Sequence, residues 1–214
     1  MREYYSRRAK DYEQIYYHYD DPERQSELKL IGDEMISCFT NKSVLEVACG
    51  TGYWTDVISK YVKRITAFDF SPEVLEIAKS KNLNAELLID DAYEMKKIKG
   101  QFEGGCANFW FSHIPKDKTD TFLNCFHQKL LPGSTVYIAD NNYIEGVGGV
   151  FIHKPGDVNT YKIRTLSDGS EYEVLKNYYT GDELREIFKT HSHDIEFRSG
   201  KFYWRIKYTT AGTI

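Results

Sequence analysis

The sequence has no cysteine motif typical of a metal or redox site, and no apolar segment of membrane-spanning length. Cys38, Cys49, Cys106 and Cys125 are scattered without a C-x-x-C pair, which favours reduced structural thiols and the cytoplasm. The N-terminal stretch MREYYSRRAKDYEQ has no apolar core like that of a signal peptide. No run approaches the length that crosses a bilayer. We therefore expect a cytoplasmic protein without a membrane segment.

The sequence also lacks an excess of positive charge. Its 28 Lys and Arg residues are outnumbered by 32 Asp and Glu residues, giving a formal net charge of -4. That balance argues against a broad nucleic-acid or anionic-membrane surface. The 41% hydrophobic and 28% charged fractions are those of an ordinary globular chain and argue against disorder. Aromatic residues, by contrast, are frequent at 15%, with 17 tyrosines.

Strand-like and helix-like stretches alternate between residues 43 and 141. The predicted strands are SVLEVAC, RITAFDF, AELLID, GGCANFWF and TVYIADN. Ser71-Pro72 supplies an N-cap and a first helical residue after the second strand. Leu131-Pro132-Gly133 is a stop signal before the fifth strand. The alternation predicts an α/β fold: a Rossmann-like, doubly wound, mostly parallel seven-stranded sheet with helices on both faces.

The two ends of the chain have different patterns. Residues 3–19 have aromatic residues at helical spacing, and a second helix is predicted from the Asp21-Pro22 break to about Phe39. Near the other end, TYKIRTL and SEYEVLK flank Ser167-Asp168-Gly169 as a hairpin. The stretch TGDELREIF predicts a helix with Thr180 as N-cap. The final stretch IEFRSGKFYWRIKYTT predicts two more strands.

We expect one domain over residues 1–214. Its parts are an N-terminal helical lid (1–40), a core (41–141), an insertion (142–178) and a C-terminal helix with strands (179–214). Ligands of open parallel sheets bind outside the carboxyl ends of the strands. An insertion after the fifth strand would therefore cover the site as a substrate cap. The alternative is a hairpin that packs elsewhere for stability.

A glycine pair follows the first predicted strand, in the stretch SVLEVACGTGYWTDVIS. Glycine permits close approach of the backbone to a ligand because it has no side chain. The dinucleotide fingerprint requires a third glycine three residues after Gly52, where this chain has Thr55. No Gly-Lys-Ser/Thr follows, so the turn is not a P-loop either.

The pattern Glu-x-x-Cys-Gly-Thr-Gly, Glu46 to Gly52, resembles the first motif of class I S-adenosylmethionine-dependent methyltransferases. The resemblance extends over residues 40–141, because Asp69 ends the second strand and Asp90-Asp91-Ala92 ends the third. It implies that Asp69 accepts hydrogen bonds from the ribose hydroxyls and that an acid and a backbone amide near Asp91 contact adenine. Glu46 would position the methionine end of the cofactor, or the loop around it.

The resemblance implies a set of residues that bind S-adenosyl-L-methionine: Tyr5, Glu46, Ala48, Cys49, Gly50, Thr51, Gly52, Asp69, Phe70, Ser71, Asp91, Ala92 and Asn108. Three of these have other interpretations. Glu46 could pair with a cation inside the fold, and Asp69 could be a simple strand-end turn residue. Asp90 could contact adenine in place of Asp91, which we prefer.

In this family, residues at the end of strand four hold the methyl acceptor. In this chain, that stretch has the sequence NFWFSHIP. His113 is the candidate catalytic residue, for acceptor binding or proton removal. Alternatively, it starts a helix and faces solvent or caps a carbonyl. Trp110 would shape the pocket, although core packing explains it equally well. The predicted substrate-binding residues are Tyr4, Tyr12, Tyr16, Trp110, His113 and Asn141.

The tyrosines of the N-terminal segment would fold over the cofactor as a lid, since aromatic faces suit a sulfonium. The other interpretation is packing of the same stripe on the sheet. Asp140-Asn141 resembles the magnesium site of catechol-type O-methyltransferases, but strand four offers Asn108 where a carboxylate is needed. We therefore expect no metal. The HSH run at His191–His193 is expected to be a surface turn.

The sequence thus predicts an S-adenosylmethionine-dependent methyltransferase acting on an N or O atom of a small molecule. The compact cap and acidic balance favour a small acceptor, without nucleic acid or membrane as partner. The Asn/Asp-Pro-Pro-Tyr/Phe signature of amino-methylating nucleic-acid enzymes is absent. The alternatives are a protein or RNA methyltransferase and a non-catalytic cofactor-binding module of the same fold.

Overall fold

A computed structural model describes Tyr4, Arg8 and residues 21–211 of the chain. The predicted helix over residues 3–19, with Tyr5, Tyr12 and Tyr16, otherwise lies outside the described residues. None of the described helices is long and apolar enough to cross a bilayer.

Five helices and ten strands follow Asp21 in the described part of the chain. Their bounds are α1 (Pro22–Phe39), β1 (Ser43–Val47), α2 (Tyr53–Ser59), β2 (Arg64–Asp69), α3 (Pro72–Ser80), β3 (Glu86–Ile89), β4 (Phe102–Cys106), α4 (Thr119–Gln128), β5 (Leu130–Asn141), β6 (Val150–His153), β7 (Thr160–Thr165), β8 (Glu171–Leu175), α5 (Gly181–Lys189), β9 (Ser192–Ser199) and β10 (Tyr203–Thr210). Short 3-10 turns at Phe111–His113 and Lys116–Lys118 connect β4 to α4.

Seven strands form one sheet in the order β3-β2-β1-β4-β5-β10-β9. Strands β1 to β5 pair in parallel, and β10 lies antiparallel between β5 and β9. The predicted doubly wound α/β fold is confirmed. Every residue of β1 is buried, because this central strand is covered on both faces by apolar clusters. Its carboxyl end therefore opens at the point where ligands bind in such sheets.

Helix starts follow the capping chemistry that the sequence predicts. Asp21 Oδ1 accepts hydrogen bonds from the amides of Glu23 and Arg24 at the start of α1. At α5, Thr180 Oγ1 accepts from the Glu183 amide, and the Glu183 carboxylate accepts from the Thr180 amide. Such reciprocal capping satisfies two backbone groups that a helix leaves open.

Three local predictions are wrong. The fourth strand ends at Cys106 rather than Phe111, and the backbone turns at Phe109, whose φ is 56°. Leu131-Pro132-Gly133 lies inside β5 rather than before it, beside a register irregularity in the β4–β5 ladder. Ser192 and His193 begin strand β9, so His191–His193 is not a surface turn.

Strands β6, β7 and β8 form a separate antiparallel sheet between β5 and α5. The turn joining β7 to β8 lies at the predicted Ser167-Asp168-Gly169. Strand β6 was not predicted. This small sheet is fixed to the segment after β4, because the Asn177 amide donates to the Ser112 carbonyl and Asn177 Nδ2 donates to the Ile114 carbonyl.

Candidate functional site

The carboxyl ends of β1 to β4 border a cavity of about 300 Å³, which we call the first cavity. Its lining is Ala48, Gly50, Phe68, Asp69, Phe70, Ser71, Val74, Asp90, Asp91, Ala92, Tyr93, Phe109, Trp110 and His113. The charged side chains are three aspartates, and the rest is mostly apolar. Nine of the predicted cofactor-binding or acceptor residues thus meet at one place.

The turn between β1 and α2 forms one wall of the first cavity. Ala48, Gly50 and Gly52 all have positive φ, at 53°, 56° and 80°. Gly50 faces the cavity, but Gly52 does not. A Cβ at Gly52 would lie 2.8 Å from Leu83 Cδ1 and 3.2 Å from Ala78 Cβ. Gly52 therefore allows the turn to pack against Ala78 of α3 and against Leu83, while its predicted cofactor contact stays a prediction.

Glu46 lies beneath this turn and not in the cavity lining. Its side chain is 2% exposed, and its carboxyl group accepts a hydrogen bond from Thr55 Oγ1 at 2.7 Å. Burial raises the pKa of Glu46 to about 8, although the Thr55 hydrogen bond opposes this. Thr55 thus occupies the place of the third fingerprint glycine and tethers α2 to β1. The geometry supports the loop-positioning role of Glu46 over pairing with a cation.

Asp69, at the end of β2, holds the cavity wall through both carboxylate oxygens. Oδ2 accepts from the Gly50 amide at 3.0 Å, and Oδ1 accepts from the Ser71 amide at 2.9 Å. Burial raises its pKa, while the hydrogen bonds to these amides lower it. Each carboxylate oxygen can accept a second hydrogen bond. Asp69 can therefore shape the turn and still accept from a ligand's hydroxyl groups.

The two aspartates after β3 have different surroundings. Asp90 is 8% exposed and accepts from the amides of Asp91 and Lys97 through separate oxygens. Asp91 is half-buried, and its Oδ1 accepts from the Tyr93 amide at 2.7 Å. Because Asp91 is more exposed than Asp90, the arrangement supports Asp91 as the residue nearer to a ligand.

The first cavity fits an adenosyl compound. The apolar side chains of Phe70, Val74 and Ala92 line the cavity together with Asp69 and Asp91, and a planar base would lie against them. Trp110 contacts Tyr93 and Phe122 with ring centroids 6.2 and 5.0 Å apart. Trp110 therefore both lines the cavity and packs on the core, which unites its two predicted roles.

A second cavity, of about 100 Å³, adjoins the first. It lies between the ends of β5 and β10, the small sheet and α1. Phe109 and His113 line both cavities, so they form the shared wall. Of the predicted substrate residues, Tyr4 and Asn141 line the second cavity, whereas Trp110 lines only the first.

His113 is fixed by the small sheet. Its Nδ1 lies 2.6 Å from the Leu175 carbonyl oxygen at the end of β8. A carbonyl only accepts, so Nδ1 carries the proton and Nε2 carries the lone pair. Burial and the charge of Lys176 lower the pKa of His113 to about 3. The imidazole is neutral at physiological pH, so it is a weak base that forms part of the wall between the two cavities.

Behind His113 lies a buried ion pair that the sequence did not reveal. Lys176 Nζ donates to Asp140 Oδ1 at 2.9 Å and to Ser112 Oγ at 2.6 Å. Asp140 also accepts from the amides of Ser112 and Asn141. Burial would raise the Asp140 pKa, but Lys176 and these donors hold it at about 2. The charge of Asp140 is therefore paired with the ammonium group of Lys176.

Several predicted cofactor residues lie away from both cavities. Asn108 is 7% exposed and directed into the protein: its Oδ1 accepts from the Ala139 amide and its Nδ2 faces Met35 Sδ. Cys49 and Thr51 are buried beside the turn without lining the cavity. The cofactor contacts predicted for these three residues stay predictions. Tyr5, Tyr12 and Tyr16 lie outside the described residues.

Comparison with known proteins agrees with this geometry. Residues 44–133 match the model of a family described as a methyltransferase domain. A ubiquinone biosynthesis O-methyltransferase of Xanthomonas campestris pv. campestris is 22% identical over 76% of this chain and 67% of its own length. A demethylmenaquinone methyltransferase of Lactococcus lactis is 30% identical over 56% of this chain, but the match spans only 48% of that relative.

The DhpI–SAH complex is similar in structure, with a TM-score of 0.79 over 99% of this chain and 95% of that one, at 23% identity. At that identity the likeness establishes the fold. Residues 44–133 thus match a methyltransferase domain, and the α/β sheet has the fold of the DhpI–SAH complex. The chain thus resembles the S-adenosylmethionine-dependent methyltransferases.

Proposed function

We propose that this enzyme methylates an N or O atom of a small molecule, with the donor in the first cavity and the acceptor in the second. The observation that carries the proposal is the shared wall of Phe109 and His113 between two adjoining cavities. A bimolecular transfer needs two partners held at close range, and such alignment supplies roughly 7–11 kcal/mol in favourable cases.

Residues of the first cavity would hold the donor. Asp69 accepts from ribose hydroxyls while keeping the Gly50 turn in place, and Asp91 lies at the adenine edge. Bound there, S-adenosylmethionine supplies a methyl group already activated by its sulfonium. The protein's remaining task is to align the acceptor and exclude water.

His113 serves that task as a positioning residue. Its proton is committed to the Leu175 carbonyl and its pKa is about 3. A base with so low a pKa removes a proton inefficiently at neutral pH. An acceptor that is already deprotonated, or that loses its proton after transfer, suits this site better than one that needs a strong base.

A small acceptor is favoured over a polymer by the volume and enclosure of the second cavity. It holds about 100 Å³ against about 300 Å³ for the first. Residues of the small sheet, among them Arg164 and Val174, form its outer side. This supports a cap role for residues 142–178. The unpaired cysteines also favour the cytoplasm.

Transfer of labelled methyl groups from S-adenosylmethionine tests the proposal. We expect label in a low-molecular-weight fraction when the enzyme is incubated with pooled metabolites. Label in protein or RNA instead would favour the polymer-modifying alternative. Binding of the donor without transfer to any fraction would favour a non-catalytic module.

A further inference from the structure

We propose that the acceptor carries a small oxyanion, a carboxylate or phosphate-type group, and that Arg164 binds this group in the second cavity. The inference rests on the proposed function, because it assigns a chemical class to the acceptor at that site. It begins from the charges that surround the second cavity.

The lining of the second cavity is cationic. Four side chains with basic groups reach it: Arg8, Arg24, Arg164 and Lys176. Among the residues that the structure describes, no Asp or Glu lines it. Asp140, which balances Lys176, lies behind the wall and is fully buried. A ligand in this cavity therefore meets positive charge without a facing carboxylate from residues 21–211.

Of these four basic side chains, Arg164 is the one that we assign to pairing with a ligand. It lies on β7 and is half-buried. Within the described part of the chain its guanidinium has neither a hydrogen-bond acceptor nor a carboxylate partner. Its charge helps to lower the pKa of Lys176 and of His113, where burial is the larger cause. A guanidinium prefers a planar oxyanion because two parallel N–H groups match two oxygens.

The position of Arg164 is built by the loop before β6. Gly148 lies against the guanidinium: a Cβ there would lie 2.5 Å from Arg164 Nη1, and the φ of 76° at Gly148 also favours glycine. Lys162 fixes the same loop from beneath, since its buried Nζ donates to the carbonyls of Val147 and Gly149. The loop and the strand together hold the guanidinium at the cavity rather than in solvent.

The remaining lining fits an anion and disfavours a cation. Asn141 and Tyr178 offer neutral hydrogen-bond donors at the cavity. The ring of Tyr4, which could have held a cationic ligand, instead has the Arg8 guanidinium 5.6 Å from its centroid. A protonated amine would meet like charge from Arg164. The site therefore selects acids over amines.

Calorimetric titration with simple anions tests the inference separately from methyl transfer. Acetate, inorganic phosphate and methylphosphonate are titrated into the full chain, with and without saturating S-adenosylhomocysteine, in an anion-poor buffer. Acetamide is the neutral control. We expect at least one anion to bind one-to-one and acetamide not to bind. Tighter binding of acetate identifies a carboxylate, and tighter binding of phosphate or methylphosphonate identifies a phosphate-type group.

Variants connect the binding to Arg164. R164Q should weaken anion binding at least tenfold. R164K should weaken it less, because lysine keeps the positive charge although it lacks the two parallel N–H groups of the guanidinium. R185Q makes the same charge change on the exposed face of α5 and should alter binding less than twofold. Unfolding in urea checks that each variant is folded.

The inference is overturned if no anion binds better than acetamide, or if R164Q and R185Q behave alike. In either case, S-adenosylhomocysteine binding and methyl transfer to a neutral small molecule would leave the proposed function standing. Failure of methyl transfer with intact anion binding would reject the proposed function instead.

Discussion

Lys176 and Asp140 form an ion pair, 2.9 Å between Nζ and Oδ1, in which both side chains are almost completely buried. The pair joins the end of β5 to the residue after β8, and so attaches the small sheet to the main sheet. Ser112 completes it by donating its amide to Asp140 and accepting from Lys176 at Oγ. The wall between the two cavities is built on this network.

Removing one member of this pair should destabilise the protein more than removing both. K176M leaves a buried carboxylate and D140N leaves a buried ammonium, each costing about 3–5 kcal/mol. The double variant should lose less than either single variant, since no unpaired charge stays buried. Urea unfolding of the four proteins measures this. Additive losses would contradict a coupled pair.

Glu46 should make the stability of the ligand-free protein fall as pH rises. Its pKa is about 4.5 when unfolded and about 8 when folded, where burial raises it. Between these values the unfolded state releases a proton that the folded state keeps, so stability is highest below pH 4.5 and declines up to pH 8. The shift corresponds to about 5 kcal/mol at most.

Urea unfolding of wild type and E46Q at pH 5, 7 and 8.5 checks this prediction. Because Gln does not titrate, E46Q should gain stability relative to wild type as pH rises, by a few kcal/mol across the series. A constant difference between the two proteins would show that Glu46 has an ordinary pKa.

Thr55 should stabilise the folded protein through its hydroxyl group. T55V keeps the shape but removes the donor to Glu46, leaving a buried carboxyl group without it, at a cost of about 1–3 kcal/mol. T55S is the matched control because it keeps the hydroxyl. Thermal or urea unfolding should place T55S closer to wild type than T55V. The reverse order would mean that the methyl group matters more than the hydrogen bond.

His113 should not impose a pH dependence on methyl transfer near neutrality. With a pKa of about 3 the imidazole is neutral from pH 5 to 9, so its protonation does not change there. H113N keeps a donor for the Leu175 carbonyl and should show a lower kcat with the same profile shape. A wild-type break near pH 6–7 that disappears in H113N would establish His113 as a titrating base.

Local patterns predicted the main sheet and its carboxyl-end acids, because strand periodicity, capping residues and the spacing from Gly52 to Asp69 are short-range signals. They did not predict Lys176 or Arg164. Both residues are placed at the second cavity by the small sheet, in which β7 pairs with β6 and with β8. This long-range strand pairing leaves no pattern in the local sequence. The Gly148-Gly149 pair before β6 was the one available signal.

Asn108 and Gly52 show what a motif position leaves open. Both occupy motif positions expected to touch the cofactor, but a residue at the end of a strand can face either the cavity or the core. Asn108 faces the core, where it bridges β4 and β5 through the Ala139 amide. Gly52 faces α3 and its neighbour Leu83. Which way each points depends on backbone turns such as the one at Phe109.

The most direct test of the account is calorimetric titration of S-adenosylhomocysteine into wild type, D69N and D56N. Asp56 lies on the exposed side of α2, so D56N is a control for the same chemical change. Loss of a charged hydrogen bond costs about 1.5–3 kcal/mol, roughly a 10- to 150-fold weaker Kd. We predict one-to-one binding to wild type, a loss of that size in D69N and no change in D56N. Equal binding to all three, or no heat with wild type, would contradict the assignment of the first cavity to the donor.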